Sequence, residues 1–295
     1  MSALEVQDAV VEYRVPGAKT VRAVSGVSLR VESGEVVGLV GESGCGKSSL
    51  GKAIVGLNPL SSGHILVEGR ELAPLRRRAR PIADRAVQMV FQDPYSSLNP
   101  RRRIGRQIQD AISARAGSAR AGELLESVGL PASALQRFPH QFSGGQRQRI
   151  AIARALASDP TVIVADEPVS ALDASTRQQV AGLLSDTATA RGVALLMISH
   201  DLSGLRTIAH RLAVMYFGRI VETGPTEAIW TQPRHPYTRT LIGAIPRLGR
   251  GAPLPSEPDR SVPREVGDDD ARLVECGPGH FVAAEALEQR AAKVM

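Results

Sequence analysis

The stretch Gly41-Glu-Ser-Gly-Cys-Gly-Lys-Ser48 constrains this chain more than any other. It follows the apolar run Val36-Val-Gly-Leu-Val40 and precedes a segment that can run as a helix to about Gly56. Strand, Gly-rich loop, helix is the order in which the spacing G-x-x-x-x-G-K-[ST] binds phosphate. Glycines let backbone N–H groups turn inward on phosphate oxygens, and the helix N-terminus adds partial positive charge. Lys47 is placed to reach the β- and γ-phosphates of a nucleotide, and Ser48 to offer its hydroxyl to Mg²⁺. A turn that binds nothing has no need of a Lys and a Ser at these two positions.

A chain of 295 residues has room for one large domain and an appendage. Its 43% hydrophobic and 22% charged content is that of a soluble globular protein. The longest apolar run, Val193 to Ile198, fits one buried strand and falls far short of the ~18 residues of a membrane span. Met1 to Val10 is polar and acidic, so no signal peptide is expected. Cys45 and Cys276 give no disulfide framework and suit a reducing compartment. The net charge of +6 comes largely from Arg76 to Arg80 and Arg101 to Arg103. No aromatic residues interleave with them, as a base-stacking surface requires. Solvated loops, facing an anionic membrane surface or its proteins, are the better reading.

The first 35 residues alternate apolar and polar at Val11, Tyr13, Val15 and again at Val27, Leu29, Val31. This predicts antiparallel strands with turns at Pro16-Gly17 and Ser33-Gly34. His64 to Val67 and Ala86 to Phe91 read as strands. Ile104, Ile108 and Ile112, then Leu124, Leu125 and Val128, mark a helical region at spacings of three and four. Ser143-Gly144-Gly145 opens a helix to about Ala157, with Ser143 as its cap. Val162 to Ala165 is a strand, Thr176 to Leu184 a helix, and Val193 to Ser199 a strand. Strands alternating with helices around a phosphate loop predict an α/β core with a mostly parallel sheet. Arg250 to Asp270, rich in Pro, Gly and acids, reads as an extended tail, and Phe281 to Met295 as a closing helix.

A phosphate loop alone does not choose among nucleotide-hydrolysing proteins; the residues after it do. Asp166-Glu167 ends a hydrophobic strand, where one carboxylate can hold Mg²⁺ and the next can face an attacking water. Phe142-Ser-Gly-Gly-Gln146 offers a second helix N-terminus for phosphate oxygens. His200 follows one strand and Gln92 another, each able to approach the γ-phosphate, the metal or the water.

At these residues the sequence resembles the ATP-binding subunit of ABC transporters, over about Leu4 to Gly224. The motifs run in order: Walker A at Gly41 to Ser48, a Q-loop at Gln92, the signature at Ser143 to Gln146, Walker B at Val162 to Asp166 with Glu167, a D-loop at Ser170 to Asp173, and a switch histidine at His200. Phe142 replaces the commoner Leu before the signature. Gln88 to Pro100 and Arg234-His-Pro-Tyr-Thr-Arg-Thr-Leu241 look like the Q-loop region and the C-terminal extension of oligopeptide and dipeptide importers.

The resemblance implies a P-loop core with an antiparallel β subdomain and a helical signature subdomain at about residues 94–158. Residues 1–229 would form the nucleotide-binding domain and 230–295 the extension. ATP contacts would come from Tyr13, stacked on adenine, and from Gly41, Ser43, Gly44, Cys45, Gly46, Lys47, Ser48 and Ser49. Mg²⁺ would be held by Ser48, Gln92 and Asp166. Glu167 is the expected general base, with His200, Lys47 and Gln92 completing the catalytic set. Ser143, Gly144, Gly145 and Gln146 would act across a dimer, and Asp173 would couple the two sites. Cys45 takes no catalytic role, although a thiol in that loop is expected to be open to alkylation. Relatives carry several closely spaced cysteines in the extension, associated with an iron–sulfur cluster; with Cys276 alone in this tail, no cluster is expected.

The partners implied are two permease subunits, a second ATP-binding subunit and an extracytoplasmic solute-binding protein, with this chain peripheral on the cytoplasmic face of the membrane. The solute is left open among peptides, nickel, glutathione and others, as is the choice between homodimer and heterodimer. The rival reading is a soluble ATPase acting on nucleic acid or ribosomes, motivated by the arginine clusters. A tail that senses a metabolite is a third.

Overall fold

The computed structural model describes residues 2–14, 20–72, 86–93, 97–112, 120–245 and 272–286. The arginine run at 76–80, the turn at Pro16-Gly17 and the Pro-rich stretch 250–270 lie outside them.

Apolar alternation produces the first sheet. β1 (Ser2–Tyr13) and β2 (Val21–Glu32) pair antiparallel, with Leu4 opposite Val31 and Val6 opposite Leu29. β4 (Ser62–Val67) and β5 (Arg70–Glu71) extend it in the order β2-β1-β4-β5. One face buries Leu4, Val6, Leu29, Val31, Ile65 and Val67. On the opposite face Glu5 and Arg30 stand in register, 2.5 Å apart, a cross-strand ion pair.

Short runs of continuous apolar residues produce the second sheet. β3 (Val36–Val40), β6 (Val87–Val90), β7 (Val162–Asp166), β8 (Ala194–Ile198) and β9 (Arg211–Tyr216) lie parallel in the order β9-β3-β8-β7-β6. Every residue of β3, β7 and β8 is buried, as parallel strands covered on both faces require. Val36 and Val40 face one core, with the helical region, while Val37 and Leu39 face the other, with the antiparallel sheet and α1 (Lys47–Ile54).

The helical region contains α2 (Ile104–Gln109), α3 (Arg120–Ser127) and α4 (Gly144–Leu156). Ile104, Ile108, Leu124, Leu125 and Ile150 are buried together. α2 stops at Gln109, so the third isoleucine of the repeat, Ile112, packs from beyond the helix end. α5 (Ala174–Ala190) and α6 (Leu202–Arg206) follow β7 and β8.

The C-terminal part departs from expectation. β10 (Arg219–Pro225) turns back on β9, and α7 (Thr226–Thr231) and α8 (Pro236–Gly243) follow. A hairpin of β11 (Leu273–Gly277) and β12 (His280–Ala283) then pairs antiparallel on β10, completing the order β11-β12-β10-β9-β3-β8-β7-β6. The expected division at 229/230 thus falls inside α7, and the extension is built into the main sheet. Phe281, expected to open a helix, sits in β12. Its neighbours Val282 and Ala283 are buried, and the strand lies between β11 and β10.

Candidate functional site

The carboxyl ends of parallel strands are where open α/β sheets gather their ligands. Here the ends of β3, β8, β7 and β6 are consecutive neighbours, and each carries one of the expected residues. β3 delivers the loop Gly41 to Gly46, β8 delivers Ser199-His200, β7 ends in Asp166-Glu167, and β6 leads to Gln92.

The loop folds as its glycines dictate. A Cβ on Gly41 would lie 2.1 Å from Met215 O, and one on Gly46 would lie 2.1 Å from Ala23 O, so neither position admits a side chain. Lys47 is 5% exposed and its Nζ donates to the carbonyls of Gly41 and Glu42, each at 2.7 Å. The Ser48 hydroxyl donates to Asp166 Oδ1 at 2.9 Å, joining the loop to β7. Burial pushes the Asp166 carboxyl up from its ordinary value, and the Ser48 hydrogen bond works against that shift. A hydroxyl and a carboxylate at this separation are hard oxygen donors of the kind that suit Mg²⁺.

Glu167 is the centre of the arrangement. Its backbone adopts φ +46°, a left-handed conformation that costs a non-glycine residue energy and is found where geometry is imposed by function or packing. Its N–H donates to Ile198 O at 3.0 Å. Its side chain stands between Gln92, whose Nε2 donates to Oε2 at 3.3 Å, and His200, whose Nδ1 lies 3.2 Å from Oε1. Gln92, Glu167 and His200, separated widely in sequence, therefore meet around one carboxylate.

Tyr13 is 39% exposed, so it does not occupy the inward face of β1. Its hydroxyl donates to Ser49 Oγ at 3.0 Å and accepts from Asn58 Nδ2 at 2.7 Å, which places the ring at the edge of α1. Cys45 is 8% exposed, and burial pushes its thiol up despite the nearby Lys47 ammonium. Since the thiolate is the nucleophile, the expected sensitivity to alkylation is not what this environment provides.

Ser143, Gly144, Gly145 and Gln146 form the N-terminus of α4. Ser143 Oγ accepts from Gln146 N–H at 3.3 Å, and Gln146 Oε1 accepts from Ser143 N–H at 3.0 Å, a reciprocal capping box. A Cβ on Gly145 would lie 2.5 Å from Thr176 Cγ2, so a glycine lets α4 approach the start of α5. There Asp173 caps α5, accepting from Thr176 N–H at 3.0 Å and Ser175 Oγ at 2.7 Å, which holds its carboxyl down at about 2. α4 packs against β6, three strands from β3, a separation of roughly 14 Å at ordinary strand spacing. Gly41 to Ser48 thus follow β3, while Ser143 to Gln146 open the helix that packs on β6.

Arg102 pairs with Asp110 at 2.5 Å, and Arg103 lies over the Phe138 ring at 5.0 Å and donates to Gln136 O. These two arginines are thus engaged within the helical region. Phe142, in place of the commoner Leu, is 5% exposed beneath the Arg137 guanidinium at 4.4 Å.

Sequence reasoning missed two contacts to the loop. Gly218 N–H, in the β9–β10 turn, donates to Cys45 O at 2.8 Å, and Glu42 N–H donates to the Tyr237 hydroxyl at 2.8 Å. The motif containing Tyr237 was visible, but its distance of 195 residues from Glu42 gave no signal of contact.

Residues 24–170 match the ABC transporter family, and residues 221–269 match the family described as oligopeptide/dipeptide transporter, C-terminal region. A Brucella abortus protein provisionally named as a peptide import ATP-binding protein is 48% identical over 257 residues, 84% of this chain and 77% of that one. The oligopeptide transport ATP-binding protein OppF of Bacillus subtilis is 42% identical over 291 residues, covering 92% of this chain and 93% of that one. A solved dimeric ATP-binding cassette, in a post-hydrolysis state with ADP and Pi, superposes with a TM-score of 0.65 at 28% identity over 76% of this chain and 98% of that one.

Proposed function

The chain belongs to the ABC transporter family, and on that footing we propose that it is the ATP-hydrolysing subunit of an importer for peptides or a related small solute. The observation that carries the reading is the Glu167 carboxylate, held between Gln92 and His200 one residue beyond the Asp166–Ser48 pair.

The loop's inward N–H groups and Lys47 bind the phosphates of ATP, replacing hydration with fixed dipoles. Mg²⁺, held by Ser48, Gln92 and Asp166, would neutralise charge on the β- and γ-phosphates. Glu167 takes the proton of the attacking water. Gln92 and His200 fix the direction of its carboxylate, so that water and phosphorus lie in line. Ser143 to Gln146 would serve the nucleotide of a second ATP-binding subunit, a reading supported by their place on the helix that packs against β6, three strands from β3. ATP then joins two helix N-termini across the dimer, and its hydrolysis removes that link. Asp173, beside the signature helix, is placed to couple the two sites.

Among the described residues no helix is long and apolar enough to cross a membrane. The solute pathway would accordingly come from two permease subunits, fed by an extracytoplasmic binding protein, with this chain docked on the cytoplasmic face.

Glu167→Gln tests the chemistry: hydrolysis should vanish while an ATP-bound dimer accumulates, and undiminished turnover would remove Glu167 as the base. Purification from detergent-solubilised native membranes tests the partners. Two integral membrane proteins should accompany the chain; recovery with ribosomes or nucleic acid alone would overturn the transport reading.

A further inference from the structure

We propose that Tyr237 is a positioning residue for ATP binding: its hydroxyl fixes the phosphate loop at Glu42 and ties that loop to a buried acid–imidazole network in the C-terminal segment. The proposal rests on the reading of Gly41 to Ser48 as the ATP site.

The contact is specific. Glu42 N–H donates to the Tyr237 hydroxyl at 2.8 Å, while the Glu42 carbonyl accepts from Lys47 Nζ at 2.7 Å. Tyr237 thus holds, through one residue, the oxygen on which the phosphate-seeking ammonium rests. The ring is 3% exposed and packs on Tyr216, the last residue of β9, with centroids 4.2 Å apart. Gly218 N–H holds the other side of the loop at Cys45 O. The loop is consequently clamped at two carbonyl or amide positions from the C-terminal half of the chain.

Tyr237 is itself fixed from below. His235 caps α8, its Nδ1 accepting from Tyr237 N–H at 3.1 Å, and Pro236 opens the helix. The N–H groups of Arg234 and His235 donate to the two carboxylate oxygens of Glu222 at 2.7 and 2.9 Å. Glu222 is wholly buried in β10, and His280 Nε2, from β12, lies 2.8 Å from its Oε1. A buried carboxylate must be met by such partners or its desolvation would not be offset. The path runs from the hairpin through Glu222, His235 and Tyr237 to Glu42. A phosphate loop works by holding its donors pre-aimed, so a residue that fixes its backbone acts on affinity rather than on the chemical step.

The test is Tyr237→Phe in the full chain, which keeps the ring and removes the hydroxyl. One net hydrogen bond corresponds to about three- to tenfold in an equilibrium constant. The expected result is a rise of that size in KM for ATP and in Kd for ADP, with kcat at saturating ATP within about twofold, since a uniform binding loss leaves the chemical step alone. Amide exchange in the peptide holding Glu42 should also accelerate. Unchanged Kd and exchange, in a preparation whose wild type binds ADP, would overturn the proposal and leave the ATP site intact. A fall in thermal midpoint with KM unmoved would make Tyr237 merely structural and overturn it too. A wild-type chain that binds neither nucleotide would sink the ATP-site reading together with the proposal.

Discussion

His200 Nδ1 lies 3.2 Å from Glu167 Oε1, although the two residues leave different strands, β8 and β7. The contact orients the carboxylate from the side opposite Gln92. His200→Ala should therefore lower kcat by about 10²-fold, the scale on which a misplaced catalytic group loses rate, with a smaller change in KM. Steady-state hydrolysis against ATP concentration separates the two. An equal rise in KM with kcat intact would place His200 in ground-state binding.

Gly41 and Gly44 share a loop but not a constraint. A Cβ at Gly41 meets the Met215 carbonyl at 2.1 Å, whereas one at Gly44 has open space around it and only a backbone of φ +85° to contend with. Gly41→Ala should cost about 1–3 kcal/mol by overpacking against main chain and abolish nucleotide binding. Gly44→Ala should cost about 1–2 kcal/mol through backbone strain. Urea unfolding gives the stability costs and ADP titration the binding loss; retained ADP binding in Gly41→Ala would remove the Met215 clash as a constraint on the loop.

Tyr13 offers an exposed ring next to α1. If it stacks on adenine, Tyr13→Ala should raise KM for ATP about tenfold, since base–aromatic stacking is worth ~1–3 kcal/mol. Tyr13→Phe should stay close to wild type, having lost only exposed hydrogen bonds. Comparable losses in both variants would show that the hydroxyl bonds to Ser49 and Asn58 are what matters.

His235 is 2% exposed, and burial, aided by the Arg239 guanidinium, holds its imidazole down to about 4 from 6.5. The unfolded chain binds this proton more readily, so between those two values it carries more protons than the folded chain. Stability should then fall as pH drops through the window, by about 3 kcal/mol at most, and show no contribution from this group above it. His235→Asn, which retains a capping side chain, should flatten that part of the profile. Urea midpoints at a series of pH values for both proteins provide the measurement; identical slopes would exclude His235 as the source.

Much of the site was legible because its residues sit at strand ends announced by apolar runs. Val36 to Val40, Val162 to Ala165 and Ala194 to Ile198 are unbroken apolar segments, and the residues after them could be read as facing one edge of a sheet. β1 was only half legible. It begins at Ser2, but Asp8 takes φ +47° and the register shifts between Val6 and Ala9, which breaks the alternation that marks a strand. The hairpin Leu273 to Ala283 was missed because its strands are short and its first strand is only half-buried. The buried Glu222–His280 pair joins residues 58 apart, and no local pattern encodes it. Long-range polar contacts of this kind come from tertiary placement, so propensity and periodicity are silent about them.

The seating of β12 on β10 also sets an order of assembly. β10 lies between β9 and β12, and β12 is synthesised after every strand on the other side. Until residues 280–283 arrive, β10 presents an open edge, and the Glu222 carboxylate lacks one of its partners. Open edges recruit other strands, so the nascent chain passes through its most aggregation-prone stage just before the sheet is completed. A shortened chain would be held at that stage, and a defect in solute uptake after such a deletion would then report a folding lesion as readily as a lost contact with a partner.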